Sequence, residues 1–253
     1  MCFDVNHEFL YICDMESEKK GFIYQYEIDW DSDDTFELRK QTYAVVYKGA
    51  PAYDCSVDEY GNLFFSTADN KINIASYLDL WSGFKNQHTT IYDETSGKVN
   101  GVMGLDVINS ENIWFTNLET PESAGVLNKA KAQTSYLNSA EITIEVSARA
   151  GAYGVGVSDD YAFFTTNNQV FAYDYDEDEM YLKSIGFEEA RGISYGDEDV
   201  FVADHGTGHV YRIDANDGDQ EFSHPWVHIQ GAYAVHCINL AAQLIAAALF
   251  LLY

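Results

Sequence analysis

Tyrosine side chains recur in this sequence at positions that could form one binding surface. Tyr53, Tyr153 and Tyr233 each follow an alanine at the start of an apolar segment, and Arg191 takes the place of tyrosine after Ala190. Aromatic faces and a planar cation stack well on sugars or peptides, and their polar tips give direction to the contact. The six candidate binding residues are Tyr53, Asp54, Asn100, Tyr153, Arg191 and Tyr233. Alternatively, a residue that recurs in this way packs one structural unit against the next.

Acidic clusters that resemble calcium loops follow several apolar segments. The segment at 214–219 reads DANDGD and offers Asp214, Asn216, Asp217 and Asp219 as oxygen ligands. Calcium takes about six to eight oxygen ligands, and the glycine of this segment lies one place too early for the full loop pattern. The sequence therefore predicts either a weak calcium site here or an acidic turn that is exposed to solvent. No other cofactor is predicted.

The four cysteines, Cys2, Cys13, Cys55 and Cys237, have no spacing typical of a zinc site. Cys2 and Cys13 flank a polar turn between two apolar segments, and a hairpin of that register predicts a disulfide between them. Free buried thiols are the alternative. Met1 leads directly into this hairpin without a secretory leader, so we expect either a processed or incomplete chain or an intracellular one.

The charge balance limits the classes of partner. The 14 basic and 41 acidic residues give a formal net charge of −27. Such a chain repels phosphate backbones and anionic lipid head groups, so we expect no nucleic-acid partner. Cations, basic proteins and neutral glycans remain as candidate partners.

A repeated strand–turn–strand unit must position these side chains. Its six copies begin at residues 3, 52, 102, 152, 190 and 232. Intervals of roughly 40 to 50 residues are typical of propeller blades. A third and a fourth alternating strand follow each complete copy, as in 169–174 and 181–185, and no helical stretch precedes the C-terminal segment. This pattern predicts an all-β β-propeller with four-stranded antiparallel blades, six in number and the last incomplete, whose channel mouth carries the tyrosines.

The C-terminal segment 240–253 is apolar and follows the propeller domain, which we assign to residues 1–239. No Asp, Glu, Lys or Arg occurs from Gly231 to Tyr253. Three interpretations are open: the hydrophobic part of a glycolipid-anchor signal, a membrane-seeking tail, or an element packed in the fold. We expect protein contact, with the segment packing on or closing the propeller and a neighbouring chain supplying what the last blade lacks.

Two of the units, GAYGVGVSDDYAFFTTNNQVFAYD and ARGISYGDEDVFVADHGTGHVYRID, resemble repeats of the six-bladed propeller group that includes NHL, YWTD, gluconolactonase and strictosidine-synthase-like proteins. The resemblance implies the fold and no particular substrate. For the catalytic branch of the group it also implies a calcium ion at the channel mouth, held by inner strands that open with Asn-Gly or Asp-Gly. Only Asn100 with Gly101 fits this pattern, so most of the expected oxygen ligands are absent.

Two functional hypotheses follow. The first is a non-catalytic interaction or assembly module, an acidic propeller in an extracellular or cell-surface structure. It binds a protein partner or a second copy through the C-terminal segment, and a glycan is a further candidate ligand. The alternative is a calcium-dependent hydrolase, a lactonase or esterase, with Asn100 as the retained ligand. The sequence has no nucleophile elbow, phosphate loop or metalloprotease motif, so no catalytic residue is assigned.

Overall fold

The computed structural model describes residues 1–4, 8–17, 19–30, 36–38, 44–81, 86–108, 110–118, 126–132, 142–147, 151–196, 198–216, 221–222, 224–228, 236–240 and 243–247. These residues form five antiparallel sheets of four strands, two of which carry an extra short strand, and one two-stranded sheet. Successive sheets along the chain are neighbours in space. The architecture is that of an all-β β-propeller, so the predicted propeller with four-stranded antiparallel blades is confirmed, apart from the number of blades. No helix within the described ranges is long and apolar enough to span a membrane.

The strands follow one another along the chain. Blade 1 contains β1 (Cys2–Phe3), β2 (Phe9–Ser17), β3 (Lys20–Trp30), β4 (Phe36–Leu38) and β5 (Ala44–Gly49), and β4 and β5 both pair with β3. Blade 2 contains β6 (Ala52–Val57), β7 (Leu63–Thr67), β8 (Lys71–Ala75) and β9 (Thr89–Asp93). Blade 3 contains β10 (Val102–Ile108), β11 (Asn112–Asn117), β12 (Leu127–Lys131) and β13 (Ile142–Val146).

The later blades repeat the pattern. Blade 4 contains β14 (Val155–Val157), β15 (Tyr161–Thr165), β16 (Gln169–Asp174) and β17 (Glu179–Ile185). Blade 5 contains β18 (Ala190–Gly196), β19 (Asp199–Asp204), β20 (His209–Asp214) and β22 (His224–His228), while β21 (Glu221–Phe222) pairs in parallel with β17 of blade 4. The two-stranded sheet joins β23 (His236–Leu240) to β24 (Gln243–Ala247).

The second strands of blades 2, 3 and 4 are apolar on both faces because a neighbouring blade covers each face. In β7, Phe64 packs into a cluster with Phe115 of blade 3, whereas Phe65 packs with Tyr11 of blade 1. Both phenylalanines are completely buried. Alternate side chains of one strand therefore hold two different blade junctions, which explains why the apolar run is nearly continuous.

Serine and threonine hydroxyls join the first strands of adjacent blades. Ser66, Thr116 and Thr165 occupy the same position in the second strands of blades 2, 3 and 4, and Ala203 occupies it in blade 5. Each hydroxyl accepts an N–H of its own first strand and donates to a carbonyl of the next first strand. These hydroxyl bridges run Asp54–Ser66–Met103, Gly104–Thr116–Tyr153 and Gly154–Thr165–Arg191, with distances between 2.7 and 3.3 Å.

Glycines let the first strands approach one another closely around the axis. A Cβ atom on Gly104 would lie 2.7 Å from the Cα of Gly154. One on Gly154 would lie 2.6 Å from the carbonyl oxygen of Arg191. No side chain fits at these distances, so glycine is required and the channel at this level is narrow.

The blade count differs from the sequence prediction, because the described residues form five four-stranded blades and not six. β23 lies beside β18, at the place where a sixth blade would begin. It pairs with β24, in the register Cys237 to Ala246. Two strands are all that the described part of the chain supplies after blade 5. Residues 248–253 of the C-terminal segment lie outside the described residues.

A short helix interrupts blade 2, where the sequence analysis expected only strands and turns. Helix α1 (Tyr77–Trp81) lies in the connection between β8 and β9, and none of its residues is buried. Ser76 caps it, because the hydroxyl of Ser76 accepts the N–H of Asp79 (3.2 Å) and donates to the carboxylate of Asp79 (2.6 Å). A single 3₁₀ turn, Glu94–Ser96, follows β9.

Candidate functional site

The first strands bring four of the six predicted binding residues together at one end of the channel. Tyr53, Asp54, Tyr153 and Arg191 line a cavity of about 50 Å³. Small-molecule sites are typically about 300–1,000 Å³. The cavity that the described residues line therefore has room for a few water molecules, and binding of a sugar or a peptide at the mouth stays a prediction.

Arg191 is engaged by its own neighbours. Its guanidinium carbon lies 3.6 Å from the centroid of the Tyr153 ring, and its terminal nitrogen pairs with the carboxylate of Glu189. This arrangement combines a cation–π contact with a charge-assisted hydrogen bond. The buried Nε atom of Arg191 has no hydrogen-bond partner among the described residues. The chain therefore supplies a ring and a carboxylate for this cation and leaves one buried donor of Arg191 unpaired.

Two of the predicted residues are not placed at the mouth. Asn100 lies before β10, where its backbone N–H donates to the side-chain oxygen of Asn117 (3.1 Å), and it does not line the mouth cavity. Tyr233 lies outside the described residues. A calcium site at Asn100 therefore stays a prediction.

Two half-buried carboxylates, Asp54 in β6 and Asp106 in β10, connect the first strands of adjacent blades. Asp54 accepts the N–H of Leu105 in the next blade (3.1 Å). Asp106 accepts the hydroxyl of Ser56 in the preceding blade (2.8 Å) and the N–H of Val157 in the following blade (3.0 Å). Burial raises the pKa of Asp54 and raises the pKa of Asp106 to about 6. Through these hydrogen bonds Asp54 joins two blades and Asp106 joins three.

The disulfide prediction is wrong: the structure joins Cys2 to Cys55, with a Cα–Cα distance of 5.7 Å, and leaves Cys13 as a free thiol. The register of the first hairpin explains this, because β1 places Cys2 opposite Tyr11 and not opposite Cys13. Cys55 lies on the neighbouring first strand, in the position equivalent to Cys2. Burial raises the pKa of Cys13 to about 11.

The carboxylates of the acidic turns accept hydrogen bonds from backbone N–H groups of the same turns. One carboxylate oxygen of Asp214 accepts the N–H of Asn216 (2.8 Å), and Asp174 accepts the N–H of Asp176 (2.8 Å) in the same way. These are Asx turns. Among the described residues no group of three or more His, Cys, Asp or Glu side chains could hold a metal. Asp217 and Asp219 lie outside the described residues, so calcium at this loop stays a prediction.

A second candidate site lies on the opposite face of the propeller, and the sequence analysis missed it. Each first strand begins at the mouth and ends at the opposite face. Because successive strands are antiparallel, the turns after the first strands and the connections after the third strands both lie on that opposite face. There a groove of about 310 Å³ lies between blades 1 and 2. We call it the aromatic groove, and the residues that characterise it are Asp4, Glu8, Glu59, Tyr60, Tyr77 and Trp81.

Large apolar side chains cluster around the aromatic groove. The described part of the chain exposes five such side chains, and four of them belong to α1 or to the turn before β7: Tyr60 (69% exposed), Tyr77 (44%), Leu78 (74%) and Trp81 (65%). The helical spacing of Tyr77, Leu80 and Trp81 was the available sequence signal for α1. Nothing in the sequence placed this helix next to the first hairpin.

Comparisons with known proteins support the fold. No family model and no curated protein sequence matches the chain. A chain in the crystal structure of a nidogen/laminin complex superposes with a TM-score of 0.70 at 13% identity, covering 93% of this chain and 82% of that chain. Sqt1 from Saccharomyces cerevisiae superposes with a TM-score of 0.57 at 13% identity, covering 90% of this chain and 64% of that chain. At this identity the likeness shows the propeller fold alone.

Proposed function

We propose that this protein is a non-catalytic protein-interaction module. The observation that carries the proposal is the contrast between its two faces. The cavity at the channel mouth is about 50 Å³, whereas the aromatic groove is about 310 Å³ and is lined by three exposed aromatic side chains, Tyr60, Tyr77 and Trp81. Clustered exposed apolar surface is typical of protein interaction sites.

Three further observations support a protein partner and an extracellular or cell-surface location. The nidogen/laminin neighbour belongs to a complex of two proteins, which agrees with a protein partner for this propeller. The disulfide between Cys2 and Cys55 favours an extracellular or cell-surface location, because disulfides persist in oxidising compartments. The net charge of −27 favours a basic partner over an acidic one.

The two-stranded sheet provides a second interaction element. β24 pairs with β23 on one side, and no described strand pairs with its other edge. An open strand edge accepts a further strand from another chain. We therefore propose that a second copy or a protein partner completes a sixth blade at this edge, with the apolar C-terminal segment in the contact.

Sedimentation velocity over a range of protein concentrations tests the assembly part of this proposal. We expect the full chain to associate as concentration rises, and we expect a chain that lacks residues 240–253 to lose that association. The variant Trp81→Ala is the control, because Trp81 lies at a different surface. A full chain that stays monomeric at all concentrations, or that partitions into lipid vesicles through the same residues, would contradict assembly through this segment.

A further inference from the structure

The aromatic groove has one wall of exposed rings. Tyr77 and Trp81 of α1 stack with their centroids 6.1 Å apart, and Tyr60 lies in the adjacent turn. Exposure of such rings to water is unfavourable, so their clustering indicates a surface that a partner covers.

Acidic residues from both blades also line the aromatic groove. Asp4, Glu8 and Glu59 line it, and no Lys or Arg occurs among the described residues that line the groove. Asp4 is partly used by the fold, since it accepts the N–H of Phe9 (2.7 Å). The carboxylates of Glu8 and Glu59 are exposed and have no ion-pair partner in the part of the chain that the structure describes.

Some aromatic rings elsewhere in the described part of the chain are paired with cations of the chain itself. Lys129 lies 5.1 Å from the ring of Trp114, and Arg191 lies 3.6 Å from the ring of Tyr153. The aromatic groove also combines rings and carboxylates, but no Lys or Arg occurs among its described lining residues. The missing component is a positive charge on an extended apolar stem, which is what a lysine or arginine side chain provides.

The groove is held in shape before any partner arrives. The N–H of Tyr77 donates to the side-chain oxygen of Asn62 (3.0 Å), and this bond fixes the start of α1 to the turn after β6. Gly61 has φ +81°, and a Cβ there would lie 2.7 Å from the Tyr77 ring, so glycine lets the ring rest on the turn. A surface fixed in this way loses little conformational entropy on binding.

We propose that the aromatic groove binds a basic segment of a partner protein, with a lysine or arginine side chain lying on the rings of Trp81 and Tyr60 and facing Glu8 and Glu59. This inference rests on the proposed function, because it names one partner surface of the interaction module. The partner's apolar side chains cover the remaining aromatic area.

Isothermal titration calorimetry with a defined probe tests the proposal. The probe is a capped octapeptide of alternating leucine and arginine, and its matched control carries citrulline in place of arginine, which keeps the shape and removes the charge. We expect the arginine peptide to bind and the citrulline peptide to bind about tenfold more weakly or not at all.

Matched variants separate the groove from general attraction to an acidic protein. Trp81→Ala should weaken the arginine peptide about tenfold, and Leu78→Ala should not, because Leu78 is exposed on the same helix but does not line the groove. Glu59→Gln should weaken binding, whereas Glu111→Gln should not, because Glu111 occupies the equivalent turn of blade 3. Equal binding by all four variants would overturn the proposal.

Two further outcomes would also overturn it. Binding of an N-acetylglucosamine tetramer that depends on Trp81, without binding of the arginine peptide, would assign the groove to a glycan. Binding of both peptides with equal affinity would show that the positive charge does not contribute to binding at the groove. Sedimentation of the same variants keeps the two proposals separate, because assembly through the C-terminal segment is measured without any peptide.

Discussion

At the channel mouth the guanidinium of Arg191 stacks on the ring of Tyr153, whereas in the aromatic groove the rings of Tyr60 and Trp81 are exposed to solvent. Glu189 neutralises the cation at the mouth, while Glu8 and Glu59 face no cation among the groove residues that the structure describes. The same residue types are thus used for internal packing on one face and left open on the other. Binding sites are better recognised by which interactions are incomplete than by residue type.

The comparison separates two kinds of mutational effect. Changes near the mouth and in the first strands should lower the free energy of unfolding and leave peptide binding intact in the molecules that remain folded. Changes in the aromatic groove should weaken peptide binding and leave the free energy of unfolding almost unchanged. Four predictions, from the largest expected effect to the smallest, test this division.

Removing the disulfide next to the mouth should have the largest effect. Cys2 and Cys55 are 53 residues apart, and the chain-entropy estimate for a loop of that size is about 4 kcal/mol. We expect Cys2→Ser with Cys55→Ser to lose about that much in urea unfolding. Peptide mapping without reductant should recover Cys2 linked to Cys55, and Cys13 should react slowly with iodoacetamide at neutral pH because burial raises its pKa to about 11. Recovery of a Cys2–Cys13 pair would contradict the assignment.

Asp106 should make stability depend on pH. Burial raises its pKa from 3.8 to about 6, so between these values the folded protein holds a proton that the unfolded chain has released. The stabilisation is therefore complete below pH 4, falls as pH rises towards 6 and stays low above it, with a total change of about 3 kcal/mol. Unfolding by urea from pH 4 to pH 8 should show this slope in the native chain and not in Asp106→Asn. Parallel profiles for the two proteins would show that Asp106 does not titrate in this range.

Removing one hydroxyl bridge should have an intermediate effect. Thr116→Val keeps the shape of the side chain and leaves the N–H of Gly104 and the carbonyl of Tyr153 without their shared partner. Buried unpaired groups of this kind cost about 1–3 kcal/mol. Thermal unfolding of Thr116→Val should show that loss, whereas Thr143→Val, whose hydroxyl is exposed, should unfold almost as the native chain does. Equal losses for both variants would indicate a general effect of valine.

Trp81→Ala should have the smallest effect on stability. The side chain is 65% exposed, so we expect a change within about 0.5 kcal/mol, in line with ordinary surface substitutions. Thermal unfolding measures it, and the arginine peptide measures the accompanying loss of binding. If the variant lost stability comparable to that of Thr116→Val, α1 would be a structural element of blade 2 and the division between the two faces would fail.

The strands could be predicted from the sequence because their signal is local. The predicted segment 169–174 coincides with β16, and the predicted segment 181–185 lies within β17. Alternation of apolar residues and turn residues at the ends specify a strand without reference to distant parts of the chain. The common repeat also placed Tyr53, Tyr153 and Arg191 at one mouth.

The pairing of side chains between blades was not predictable in the same way. Cys2 and Cys55 occupy equivalent positions in the first strands of blades 1 and 2, which was the available signal, but a hairpin pairing of Cys2 with Cys13 satisfied the local pattern equally well. The aromatic groove depends on three connections from two blades. Each is recognisable in the sequence as a turn or a short helix, yet their adjacency arises only from the packing of one blade on the next.

The hydroxyl bridges bear on how a chain of this kind changes length in evolution. Ser66, Thr116 and Thr165 each donate to a backbone carbonyl of the next blade, so this contact does not depend on the side chains of that blade. Duplication of a whole unit would bring its own hydroxyl bridge with it and leave the older bridges unchanged. The series of hydroxyl bridges stops at Ala203 in blade 5, so gain or loss of a unit after this blade would disturb none of them.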